Sequence, residues 1–548
     1  MKQLALFFFF SVTTALLSCN YSDNSAEDES PQVNILTSVF PSDKDQNPYS
    51  VENMNKALKN LVLAKKAGEN EEDVPELEAN FLYVRFLPYG KQGEYELRTY
   101  DTNLTMFKYP MDYNDIKKPV VYIDPTLPDS VTPYFATVPV GYEFGDTPYE
   151  ILQELFLTQP LDNEDEETEN GQFVLAKKNS KPSNSVVTYL KKQNLRPMQL
   201  EAVALLNSGK LNSRTKEASN FLAKEHPLDM DGIVAWNLPF VSTWRPSGTL
   251  KFSDEIKGDV PLVGVRVTAG YSYYWRSSKT NSNGYFESPE RWTFSVDYEA
   301  NFDDDQFLLQ DGHSWYGEDL EIEKNNKKSA WNETFTGNHA KWCVIWTAAW
   351  NYWHGNIYGL QRPRQNGWFN QSLEINVYYK NATDYNKALG NYTTSFFVEY
   401  IIVMAYNRIH MDIYGTTIHE ISHSSHYANG KNFTSLPSIL KETYARGIQR
   451  YLTTKHYGNW SKAFYDKEYT GLFEDLEDAD GKTAPKNGTV SITENISGFT
   501  APQVEKAVFK STSWDNLKNN LKNDYPSGNN GIVYTSTDMD NLFSHWSK

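Results

Sequence analysis

The chain has 548 residues, 39% hydrophobic and 22% charged, which is enough apolar material for several cores and excludes a globally disordered protein. Its formal net charge of −18 argues against a nucleic-acid partner, because a phosphate backbone needs a basic face. With 2 cysteines, one of them in the opening segment and the other Cys343, a disulfide framework and any cysteine-rich zinc module are excluded.

Met1-Lys2-Gln3 precedes an apolar run, Leu4 to Leu17, and then a small residue, Ser18. A basic start, a short apolar core and a small residue describe a secretory signal, too short to span a membrane comfortably. The tetrad Leu16-Leu17-Ser18-Cys19 resembles a bacterial lipobox. That resemblance implies removal of residues 1–18, lipidation of Cys19 and a membrane attachment made by lipid alone. Residues 19–49 open on Ser, Asn, Asp and Glu and are expected to form a disordered tether. Within it, Glu27-Asp28-Glu29 is similar to signals that carry lipoproteins of some Gram-negative bacteria to the cell surface, which implies a cell-envelope protein of the outer membrane. A plain solvated linker is the alternative.

Residues 50–235 are expected to form a mixed α/β N-terminal region. Met54, Leu58, Leu61 and Val62 follow helical spacing, Phe81 to Leu87 is strand-like, and so is Tyr95 to Tyr100 after the Gly90–Gly93 turn. Asn163 to Asn170 is acidic and reads as an exposed loop, and Pro197 followed by Leu200, Val203, Ala204 and Leu206 predicts a helix. From Trp244 the texture changes to short strands with an Asn283-Gly284 turn, including Thr249–Phe252, Pro261–Thr268 and Trp292–Val296, which predicts a small β-sandwich over 245–310. The words Leu262-Val263-Gly264-Val265-Arg266-Val267 and Thr280 to Phe286 resemble the carboxypeptidase-regulatory-like (transthyretin-like) domain, a spacer or binding module. Further on, Trp342, Trp346, Ala349, Trp350 and Trp353 share one helical face, read as core rather than as a ligand-binding stripe. Glu374–Tyr379 and the apolar Phe396–Met404 predict buried strands.

The segment Ile418-His419-Glu420-Ile421-Ser422-His423 carries the chemistry. Positions four apart on a helix lie on one face, so His419 and His423 can aim two imidazoles at one metal ion, with Glu420 beside them as a base for a water. Asp412 is a candidate cap for this helix and Asn429-Gly430 a candidate stop. A zinc site needs a third protein ligand. A second helix is expected to start at Pro437 and to bring Glu442, which follows His423 after an 18-residue gap. His426 lies seven residues from His419, about 10.5 Å along the axis, too far to join one ion, and reads as a neighbouring or solvated group.

H-E-x-x-H, eighteen residues and Glu, with Glu442-Thr443-Tyr444-Ala445, resembles the gluzincin peptidases. Position 429 is Asn, which disfavours the metzincin branch. The resemblance implies a zincin-like peptidase domain over 338–548 in which Phe396–Met404 serves as the edge strand that lines up substrate. It also implies Zn²⁺ on His419, His423 and Glu442, with Glu420 as general base. Departures are visible: no Gly-Ala-Met-Glu-Asn word lies upstream, Arg446 stands where thermolysin-type enzymes have Asp, and Tyr465 and Tyr469 are only possible oxyanion partners. Asp475 and Glu477 are the next acidic candidates for a ligand. The expected whole is a multidomain α+β lipoprotein that hydrolyses peptide bonds of proteins or glycoproteins at the cell envelope. The alternative is a non-catalytic surface lipoprotein that binds glycan or protein around a structural or vestigial metal site.

Overall fold

The computed structural model describes residues 34–36, 47–65, 74, 76–102, 104–111, 120–128, 130–158, 197–207, 244–292, 295–311, 318–363, 372–378, 390–394, 399–404, 408–460, 465–486 and 491–547. Residues 1–18, expected as a signal, Cys19, the run Glu27 to Glu29 and the expected loop Asn163 to Asn170 lie outside the described residues. Helices and several antiparallel sheets build a multidomain α+β chain. Among the described residues no helix is long and apolar enough to cross a membrane.

The N-terminal region contains β1 (Asn34–Leu36), α1 (Val51–Lys65), β2 (Phe81–Phe86), α2 (Gly90–Tyr100), β3 (Val120–Tyr122), β4 (Tyr134–Pro139), β5 (Tyr149–Leu155) and α3 (Pro197–Asn207). The antiparallel sheet runs β4-β2-β5. The helical stripe Met54, Leu58, Leu61 and Val62 is buried, and α1 packs on α3. Two expectations change here. Tyr95–Tyr100 is the second half of a helix, because Gln92, Glu94, Glu96, Leu97 and Arg98 favour one and only Leu97 of that half is buried, not an alternating face. The span 19–49 is not tether throughout: Asn34–Leu36 pairs in parallel with the β-favouring Val120–Tyr122.

The sandwich and the sheet beyond it draw on one stretch of chain: β6 (Ser247–Asp254), β7 (Gly258–Pro261), β8 (Arg266–Tyr271), β9 (Tyr274–Lys279), β10 (Tyr285–Glu287), β11 (Val296–Asn301), β12 (Phe307–Asp311), β13 (Glu318–Asp319), β14 (Glu321–Lys327) and β15 (Glu333–Phe335). One sheet is centred on β6, which pairs with β7, β10 and β15; the other runs β14-β11-β8-β9. Burial alternates along β6 with the period of two that a half-buried strand requires. Phe286 of the first sheet meets Tyr298 of the second at 5.8 Å, and Trp331 packs on both. Strands β14 and β15 therefore extend this body past residue 310, whereas β12 and β13 leave it for the next sheet.

The C-terminal body contains α4 (Gly337–Trp353), β16 (Leu373–Tyr378), β17 (Gly390–Thr394), β18 (Glu399–Met404), α5 (His410–Asn429), α6 (Ser438–Tyr457), α7 (Leu472–Glu477), α8 (Ala501–Lys510), α9 (Trp514–Asp524) and α10 (Ser536–Ser547). Its sheet runs β13-β12-β16-β18-β17, parallel through β12, β16 and β18 and antiparallel at both ends. The strand expected at the edge, β18, is thus internal, because the Gly390–Thr394 word adds a further antiparallel strand beyond it. Helix α4 is a core helix: Trp346, Ala349 and Trp353 are buried, and Phe307 of β12 packs on both Trp346 and Trp353. The Trp346 indole donates to the Val263 carbonyl at 2.8 Å. Gly264 next to it has φ of +77°, and a Cβ there would sit 2.3 Å from the Trp350 ring, so only glycine admits this approach of helix to sandwich.

Candidate metal centre

Helix α5 is buried on all sides from Ile413 to His426, wedged against α4, α6, β17 and β18. It begins at His410, two residues before Asp412, and its N-cap residue Ile409 has no capping side chain. The cap comes from the sandwich instead: Glu255, in the β6–β7 turn, accepts the His410 backbone N–H at 2.8 Å. Asp412 lies in the first turn, where Arg408 donates to its carbonyl at 3.0 Å and to the Thr416 hydroxyl at 2.8 Å. Asp254, beside Glu255, accepts the Ile256 and Lys257 N–H groups and the Tyr457 hydroxyl. Burial opposes its ionisation, but His410 and these donors hold its carboxyl well below the usual range. The helix stops at Gly430, whose N–H reaches the His426 carbonyl at 2.8 Å.

His419 and His423 stand one turn apart, ring centroids 4.9 Å apart and planes nearly perpendicular. Helix α6 starts after Pro437 and brings Glu442 between them. Glu442 Oε2 lies 3.1 Å from His419 Nε2 and 3.4 Å from His423 Nε2. Donors about 2.0–2.1 Å from a tetrahedral ion lie about 3.3 Å from one another, so both distances from the carboxylate oxygen to the imidazoles match what a small cation imposes, and the three donors lie within 4.8 Å of one another. Burial disfavours the charge on Glu442, yet His423 and hydrogen bonds from both imidazoles outweigh it and hold the carboxyl far below its usual range. Burial holds His419 below its ordinary value. At His423 burial opposes the charge, but the Glu442 carboxylate outweighs it and raises the imidazole above its ordinary value. An incoming ion would therefore have to displace the His423 proton, whereas the carboxylate and His419 already hold the protonation states that metal ligation requires.

Glu420 is 5% exposed, and burial pushes it up to about 8, with Glu442 adding to the shift and His423 and Arg408 opposing it. A cation at the three ligands would bring it back down. The Tyr469 ring lies 5.8 Å from that of His419, under the Arg446 guanidinium at 5.8 Å. Burial and then Glu442 keep its hydroxyl protonated above the usual range. Tyr465 is committed elsewhere, donating to Glu474 at 2.6 Å. Asp475 accepts from the Ala484 N–H and the Trp546 indole, and Glu477 accepts from Arg450, so both serve packing away from the pair of histidines. His426 is not solvated but fully buried among Phe433, Tyr444 and Phe509, and burial drives it down to about 3. Two residues carry no signal in the sequence: Tyr392 of β17, stacked on His423 at 5.8 Å, and Phe433, edge-on to His423 and Tyr392. Tyr444, in the word after Glu442, donates to Glu505 at 2.9 Å and anchors α6 on α8. Cys343 is buried, which pushes its thiol well up and leaves it unreactive.

The chain matches no protein-family model, and no curated protein matches it.

Proposed function

We propose that this protein is a zinc-dependent peptidase of gluzincin type, acting on polypeptide or glycoprotein at the cell envelope and anchored there by lipid on Cys19. The observation that carries the reading is the convergence of His419 Nε2, His423 Nε2 and Glu442 Oε2 within 4.8 Å beside a buried glutamate that takes no part in the cluster. Two imidazoles and one carboxylate fit Zn²⁺ and leave a coordination position free of protein. When bound there, Zn²⁺ supplies Lewis acidity toward a peptide carbonyl and toward water.

The chain's own residues supply the rest. Glu420 accepts a proton from the attacking water and hands it to the departing amine, a transfer that needs a base tuned toward neutrality. Tyr469, whose ring neighbours that of His419 and whose hydroxyl keeps its proton, is the candidate to donate a hydrogen bond to the carbonyl oxygen as charge gathers on it. Tyr392 and Phe433 wall the His423 side with apolar rings and limit water there. Among the described residues strand β17 is the last of the sheet on the α5 side, where an extended peptide can add as a further strand.

Cleavage of a peptide and glycopeptide library, with and without chelator, tests the activity. Glu420→Gln keeps shape but removes the base, so turnover should fall about 10²- to 10⁴-fold with zinc content unchanged. Full turnover by that variant would sink the mechanism. Cys19→Ser should move the protein from membranes to the soluble fraction, and a variant still on the membrane would refute lipid anchoring.

A further inference from the structure

The loop after α7 gathers a second set of ligands. Asp478 ends that helix, Asp480 follows two residues on, and Glu494 comes from a returning segment. Gly481, at φ of +76°, bends the chain directly after Asp480. The two segments are held face to face by the Thr483 N–H on the Ile492 carbonyl at 3.0 Å and the Glu494 N–H on the Gly481 carbonyl at 3.3 Å. One oxygen from each of Asp478, Asp480 and Glu494 falls within 4.8 Å of the others.

Acidic clusters at a surface are commonplace; this one differs in what is buried. Glu494 is 4% exposed, and both of its carboxylate oxygens, together with Oδ1 of Asp478, are shut away from solvent without a hydrogen-bond donor among the described residues. A buried carboxylate with no donor is among the most costly arrangements a fold can hold, and two more carboxylates aimed at the same point raise the cost. The nearby guanidinium is already committed: Arg450 pairs with Glu474 at 3.3 Å and Glu477 at 3.0 Å.

We infer that Asp478, Asp480 and Glu494 form a calcium site, separate from the centre at His419. The donor set is all oxygen, which suits a hard cation and disfavours zinc. Three carboxylates converging on one point favour Ca²⁺ over Mg²⁺, because Mg²⁺ keeps several waters, is usually held by one or two carboxylates and demands a strict octahedron. The ion would tie the end of α7 to the segment leading into α8, and the Phe499 N–H already reaches the Leu476 carbonyl there at 3.0 Å. Helix α7 in turn presses Phe473 against α6 at Gly447, where a Cβ would lie 2.2 Å from the ring. Calcium thus braces the helix that carries Glu442 from behind.

The test uses the purified full chain after EGTA treatment, followed by thermal unfolding and calorimetric titration with CaCl₂. Binding should be saturable near the roughly 10⁻⁴ to 10⁻³ M range of extracellular calcium modules, and about 5 mM Ca²⁺ should raise the unfolding midpoint by about 2 °C or more. Asp480→Asn, an exposed position, and Glu494→Gln should both abolish the rise. Without calcium, Glu494→Gln should be at least as stable as the parent, because it takes one carboxyl group out of the acidic cluster and supplies an amide donor to its neighbours. His423→Ala should keep the calcium response, which separates this site from the zinc centre. No calcium-dependent shift, or a shift that survives in both carboxylate variants, overturns the site; an equal response to Mg²⁺ overturns the choice of calcium.

Discussion

Glu255→Ala removes the side chain that caps the metal-bearing helix from another body of the protein. The bond at stake joins Glu255 Oε2 to the His410 N–H at 2.8 Å, and Ile409 offers no cap of its own. Losing a capping side chain costs about 0.5–2 kcal/mol, and losing a negative charge at the positive end of a helix about 0.3–1 kcal/mol. Glu255 is exposed, so both contributions belong near the low end, and the sum is about 1 kcal/mol. For a chain of this size that amounts to about 1–4 °C in the unfolding midpoint. Glu255→Gln keeps an acceptor and loses only the charge, so it should fall between the parent and the alanine variant. His419 lies nine residues beyond His410, about 13.5 Å along the axis, while end effects fade within the first turn. Zinc stoichiometry and half-saturation should therefore stay at parental values, measured by metal analysis beside calorimetry. An unchanged midpoint in the alanine variant would refute the capping role, and parallel loss of zinc would refute the view that the helix transmits no disturbance over that length.

Glu442→Ala should strip zinc from the purified chain while its helical signal persists, whereas Tyr469→Phe should keep zinc and lower kcat more than KM; the reverse pattern would exchange their roles. The acid limb of stability should depend on Asp254. Its carboxyl is held below the usual range in the folded chain, so the unfolded chain takes up the proton first as pH falls. The stabilisation is complete above the ordinary carboxylate value of about 3.9 and drains away as pH drops through and below it. Urea midpoints of Asp254→Asn should then lie below the parent at neutral pH, with the gap narrowing steadily once pH falls below about 4. Curves that stay parallel would exclude Asp254 as the titrating group.

What could be read in advance was local. The stripe of α1, the tryptophan face of α4, the one-turn spacing of His419 and His423, and the opening of α6 after Pro437 all follow from periodicity or from a proline inside a few turns. What escaped depends on partners distant in sequence. Tyr95–Tyr100 looks extended until Leu97 is seen to be its single buried residue. Whether β18 is an edge is decided by Gly390–Thr394, and nothing in β18 itself records that neighbour. The cap of α5 is 155 residues away in Glu255, so Asp412 looked the better candidate. His426 carries a polar label but sits among three aromatic rings supplied by three other segments.

Strand β12 limits how this protein can be divided or shuffled. It leaves the sandwich after β11, pairs with β16 in the C-terminal sheet, and the chain then returns through β14 and β15 to close the sandwich. The two bodies are therefore interlaced rather than strung in series. A fragment beginning at residue 338 would expose the whole flank of β16 where β12 belongs, and a fragment ending at 310 would leave the sandwich short of a strand in each sheet. Neither piece is a transferable cassette. Recombination that trades the metal-binding body between chains must carry everything from β6 onward, so the sandwich is inherited with the site it caps.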